Sequence, residues 1–73
     1  MPRYLNLGGD SGIESYEIGD DYITVYFMRA QKGYTYSYRS AGQAHVEAMK
    51  QLAKQGTGLN EYINRHTRNL YEK

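Results

Sequence analysis

The sequence predicts an α+β domain of order β-β-β-α-α, a three-stranded antiparallel meander whose two C-terminal helices pack on one face of the sheet. Three observations predict it. Residues 13–39 alternate apolar and polar side chains at period two, with turn formers at Gly19-Asp20-Asp21 and at Gly33. From Gln43 the apolar spacing changes to three and four residues. Glycines at 56 and 58 then divide the helical stretch in two.

Residues 1–12 read as a flexible arm, because Asn6-Leu7-Gly8-Gly9-Asp10-Ser11-Gly12 is rich in turn formers and has no periodicity. The domain proper is 13–73. In the first strand, 13–18, Tyr16 and Ile18 share a face. The second, 22–28, alternates strictly: Ile23, Val25 and Phe27 point one way, while Tyr22, Thr24, Tyr26 and Met28 point the other. Arg29-Ala30-Gln31-Lys32-Gly33 has the composition of a hairpin loop. The third strand, 34–39, places Tyr34, Tyr36 and Tyr38 on one face and Thr35, Ser37 and Arg39 on the other.

Ser40-Ala41-Gly42-Gln43 fits a capping box, and Val46, Met49, Leu52 and Ala53 form the apolar stripe of the helix it opens. Gly56 is placed to end that helix as its C′ residue. Leu59, Tyr62, Ile63 and His66 repeat as a second stripe, with Arg65 and Arg68 near the C-terminal end where cations suit the macrodipole. The last residues, 69–73, are expected to fray.

Seventy-three residues make one domain with a core close to the minimum a chain needs. There are no cysteines, which excludes disulfides and thiolate zinc sites. Nine tyrosines and one phenylalanine supply the bulk; each tyrosine buries a ring and keeps a hydroxyl that wants water or a partner. No apolar run approaches the ~18 residues of a membrane span, and the N-terminus lacks a signal-type hydrophobic region, so a soluble cytoplasmic protein is expected. Residues 1–28 hold one base and five acids, a balance of −4, whereas residues 29–73 hold eight bases and three acids, a balance of +5. That asymmetry reads either as a face for an anionic partner or as ordinary solvated charge.

Chemistry-bearing motifs are few. His45 and His66 have no metal-ligand spacing, His66 being expected at the packed edge of the second helix and His45 in solvent, so neither a metal nor a cofactor is expected. The glycine-rich stretch 8–12 lacks the Gly-Lys-Ser/Thr of a phosphate loop, and no nucleophile has a recognisable base. The sequence therefore predicts a non-enzymatic protein. The tyrosine row of the third strand either stacks bases or builds the core; placing it with Ile23, Val25 and Phe27 gives the sensible binary pattern. The opposite face then offers Tyr22, Thr24, Tyr26, Thr35, Ser37 and Arg39, rings and a guanidinium of the kind that meet bases and phosphates. Lys50, Lys54, Arg65 and Arg68 are candidates for a phosphate-binding patch on the helices.

Tyr34-Thr35-Tyr36, the overlapping Tyr36-Ser37-Tyr38, the distal Gly58-Leu59-Asn60 with Ile63, and Phe27 and Gly33 before the third strand resemble the pattern of the KTSC domain family over residues 11–66. That family includes a C-terminal extension of some lysyl-tRNA synthetases and stand-alone bacterial and phage proteins. Its usual Val-Pro step before the first helix is replaced here by Arg39-Ser40-Ala41-Gly42. The resemblance implies the β-β-β-α-α fold and an RNA-binding module without enzymatic activity. Two alternatives stand beside RNA binding. One is a phage or bacterial protein-interaction or inhibitor module acting through a sheet edge or a homodimer. The other is a protein that sequesters a small nucleotide in a cleft beside the aromatics.

Overall fold

A computed structural model describes Leu5, residues 12–28 and residues 33–72. It has the predicted α+β arrangement: strands β1 (Ile13–Ile18), β2 (Tyr22–Phe27) and β3 (Gly33–Ser37), then helix α1 (Gln43–Gln55) and helix α2 (Leu59–Tyr62), which runs on into a π-helical turn over Ile63–Thr67. The strands form one antiparallel sheet in the order β1-β2-β3. Most of the proposed arm, and four of the five residues of the proposed hairpin loop, lie outside the described residues.

Register explains which residues meet. Ile23 pairs with Ile18 and Tyr36, and Val25 pairs with Tyr16 and Tyr34, so these six share the face beneath the helices. A bulge between Ile13 and Ser15, which oppose adjacent residues Phe27 and Tyr26, adds Glu14 to β1 and returns Ile13 to that same face. Ile13 is therefore wholly buried although it is three residues, not two, from Tyr16. The core continues through Val46, Met49 and Ala53 of α1, Leu59 of α2 and Ile63 of the π turn. Thr67 ends the stripe, its hydroxyl donating to Met49 Sδ at 3.5 Å.

Several local expectations are corrected. β3 ends at Ser37, not Arg39, because Ser37 and Ser40 each donate a backbone N–H to the other's hydroxyl at 3.0 Å and curl the chain into a turn. Ser40 is thus engaged in the turn, and no capping box forms; Gly42, at φ 96°, is the N-cap residue. Tyr38, on the turn, is only partly buried beside the core. Gly56 does end α1 in the left-handed region, at φ 82°, donating to the carbonyls of Leu52 and Ala53. Leu5 lies over it, close enough that a Cβ on Gly56 would sit 2.6 Å from Leu5 Cβ. His66 is exposed, with its ring against those of Tyr62 and His45, and His45 is half-buried rather than in solvent, its Nδ1 lying 2.7 Å from the Tyr62 hydroxyl. Among the described residues no helix is long and apolar enough to cross a membrane.

Candidate functional site

The face of the sheet away from the helices carries Tyr22, Thr24, Tyr26, Thr35 and Ser37, as their pairing requires. Its rings lie over glycines. A Cβ on Gly33 would sit 2.6 Å from Tyr26 Cε1 and 2.7 Å from Thr24 Cγ2, and one on Gly19 would collide with the Tyr22 ring. The missing side chains make room for the rings, and Thr24 beneath them is buried. The hydroxyls of Thr24 and Thr35 are 2.8 Å apart, and the Ser37 hydroxyl donates to Glu72. β1 adds Ser15 opposite Tyr26 and Glu17 opposite Thr24. The face is a satisfied hydroxyl surface with carboxylates from Glu17 and Glu72. Arg39 stands exposed in the turn beyond β3, not on the strand with Thr35 and Ser37.

The helix cations differ in their surroundings. Lys50 is 7% exposed, donates to the Asp20 carbonyl at 3.0 Å and pairs with Glu47 at 2.9 Å. The Tyr38 hydroxyl donates to the same Glu47 carboxylate at 2.5 Å, and the Lys50 ammonium sits 5.5 Å from the Tyr38 ring centre. The Tyr38 hydrogen bond, then the Lys50 hydrogen bond, hold the Glu47 carboxyl below its usual value, and the same bond to Glu47 raises the Tyr38 phenol. This trio ties the β1–β2 turn to α1 and holds Lys50 between the Asp20 carbonyl and the Glu47 carboxylate. Lys54 lies exposed in the last turn of α1, Arg65 reaches Glu61 at 4.0 Å, and Arg68 follows the π turn.

Arg68 belongs to a different constellation. A cavity of about 260 Å³ opens between the end of the sheet, the π turn and the C-terminal segment. It is lined by the aromatic residues Phe27, Tyr34, Tyr36 and Tyr71, by Ile63, and by Asn64, Arg68 and Asn69. The rings meet edge to face: Tyr34 is 5.7 Å from Phe27 and 4.9 Å from Tyr71, and Tyr36 is 6.3 Å from Tyr71. Tyr71 is held there because the Glu72 amide donates to the Thr35 carbonyl at 2.6 Å, extending the chain along the outer edge of β3. Burial first, then the phenols of Tyr34 and Tyr71, push the Tyr36 phenol up to about 12, so it remains a neutral donor. Among the described residues Arg68 pairs with no carboxylate.

Sequence reasoning included Arg68 but missed its company. Asn64, Asn69 and Tyr71 carry no motif, and Tyr71 falls in the stretch expected to fray. Its aromatic character so close to the C-terminus was the one available signal. No family model, curated protein or solved structure matches the chain. The likeness to the KTSC family therefore rests on the motif residues alone.

Proposed function

We propose that this chain is a small binding module, not an enzyme, that takes a nucleotide in the pocket of Phe27, Tyr34, Tyr36 and Tyr71. The observation that carries the reading is the lining of one cavity by four aromatic residues, two asparagines and an arginine that, among the described residues, pairs with no carboxylate. Rings supply stacking surfaces that any base satisfies. Asn64 and Asn69 carry the donor–acceptor pair that reads a base edge, and Arg68 has the fork that grips a phosphate. At about 260 Å³ the cavity falls just below the roughly 300–1,000 Å³ of ligand sites, and suits one nucleotide at most rather than a longer segment.

The same chemistry is offered by a free nucleotide and by the terminal nucleotide of a single-stranded RNA. Phosphates are better accommodated here than on the open sheet face, where Glu17 and Glu72 oppose them. Pairing through the outer edge of β3 is less favoured, since the C-terminal segment already occupies Thr35.

Calorimetric titration with the four nucleoside monophosphates and with a short single-stranded RNA, at low and high salt, tests the reading. A monophosphate that binds as well as RNA points to nucleotide sequestration, and RNA alone points to end recognition. In either case Arg68→Ala weakens binding and steepens no salt dependence, while Tyr26→Ala changes nothing. Absence of binding by every probe, or loss on Tyr26→Ala with Arg68→Ala silent, rejects the pocket.

A further inference from the structure

The two outer edges of the sheet differ. On β3 the Glu72 amide already donates to the Thr35 carbonyl, whereas among the described residues no segment pairs with the far side of β1 over residues 16–18. We infer that this edge of β1 receives an extended, basic segment of a partner protein as an added strand, with Glu17 selecting its charge.

The phase of the ladder comes first. The Gly19 amide donates to the Tyr22 carbonyl at 3.0 Å, which makes these two a hydrogen-bonded pair. Antiparallel pairs alternate, so Glu17 bonds to Thr24, and the N–H and C=O of Tyr16 and Ile18 turn outward, away from β2. The same alternation, followed from the Tyr38 amide on the Asp21 carbonyl, turns Thr35 outward on β3, where Glu72 meets it. Access comes second. α1 packs over β2 and β3, and β1 forms the rim of the sheet. The bulge at Glu14 interrupts the ladder, so the edge on offer is the short stretch 16–18 running into the turn. Third are charge and pattern. Glu14, Asp20 and Asp21 are exposed along this edge, Glu17 is half-buried, and residues 12–28 contain no base. Lys50, which reaches the turn, is taken up by the Asp20 carbonyl and Glu47. Tyr16 and Ile18 lie on the face beneath the helices and Glu17 on the open one. A strand laid alongside therefore sets apolar side chains beside Tyr16 and Ile18 and a lysine or arginine beside Glu17. Main-chain bonds supply its affinity and the alternate side chains its specificity. The same carboxylates oppose pairing with β1 of a second copy, where like charges meet, and they repel phosphate.

The probe is a short peptide alternating lysine and valine. A glutamate–valine peptide reverses its charge, and a copy N-methylated at alternate residues keeps the charge but cannot donate to the edge. Binding to the full chain is followed by NMR and by amide hydrogen exchange. The expected result is binding of the unmodified lysine peptide alone, with exchange slowed at Tyr16 and Ile18. Glu17→Lys weakens that peptide by about tenfold and admits the glutamate peptide. The inference is overturned if the lysine peptide does not bind, if the N-methylated copy binds equally well through charge alone, or if protection falls outside 16–18. Light scattering that shows the chain pairing with itself through this edge also overturns it. None of these readouts depends on nucleotide or on the aromatic pocket.

Discussion

Tyr36 makes the stability of this domain sensitive to alkali in a way that can be calculated. Its side chain is 2% exposed at the centre of the core, and its phenol is raised from 10.0 to about 12. The folded pKa lies above the unfolded one, so the unfolded chain gives up the proton first. The stabilisation is complete below pH 10 and is lost as pH climbs from 10 to about 12. Two pH units at about 1.4 kcal/mol each come to about 3 kcal/mol. A chain this size holds only roughly 3–5 kcal/mol, so this single phenol removes most of that margin. Among the described residues its hydroxyl has no protein partner, so Tyr36→Phe removes the titration while keeping the ring. Urea unfolding followed by circular dichroism at pH 9, 10, 11 and 12 measures the slope in both proteins. The parent should lose about 3 kcal/mol more than Tyr36→Phe across that interval, the variant's residual slope reflecting Tyr38. Parallel slopes would refute the assignment of Tyr36 to a desolvated core site.

Three further outcomes follow from the packing. Met49→Ala removes a wholly buried side chain and the Thr67 hydroxyl's partner, and should cost roughly 2–5 kcal/mol in urea unfolding. Gly33→Ala forces the Tyr26 ring off its seat and should destabilise by about 1 kcal/mol, with Tyr26 ring protons shifting in NMR. Tyr38→Phe deletes the largest influence on Glu47, so the Glu47 carboxyl should titrate closer to its ordinary 4.5. Its contribution is present above that value and fades as pH falls below it, which carboxyl NMR against pH detects directly.

Much of the fold was legible because its signals are local. Strict alternation in 22–27 and the glycines at 33 and 56 act within a few residues of where they stand, and the structure follows them. What was not legible depends on partners distant in sequence. The bulge at Glu14 forms because Ile13 gains burial beside Phe27, a reward that no window of β1 contains. Ser40 left its capping role because Ser37 offered a reciprocal bond first. Lys50 reads as a surface cation until Asp20 and Glu47 are seen to enclose it. The candidate pocket has the same origin: Phe27, Asn64 and Tyr71 come from three places in the chain and meet only after the C-terminal segment docks on β3. Composition revealed that tyrosines matter; only the register divides them between core, open face and pocket.

The central claim is that recognition belongs to the aromatic pocket and not to the open sheet face, and one spectrum distinguishes them. Two-dimensional NMR of the labelled protein, recorded with increasing nucleoside monophosphate or single-stranded RNA, maps the contact. Shifts concentrated at Tyr34, Asn64, Arg68 and Tyr71 are the predicted result. Shifts concentrated at Tyr22, Thr24, Tyr26 and Ser37, with the pocket residues still, would contradict it.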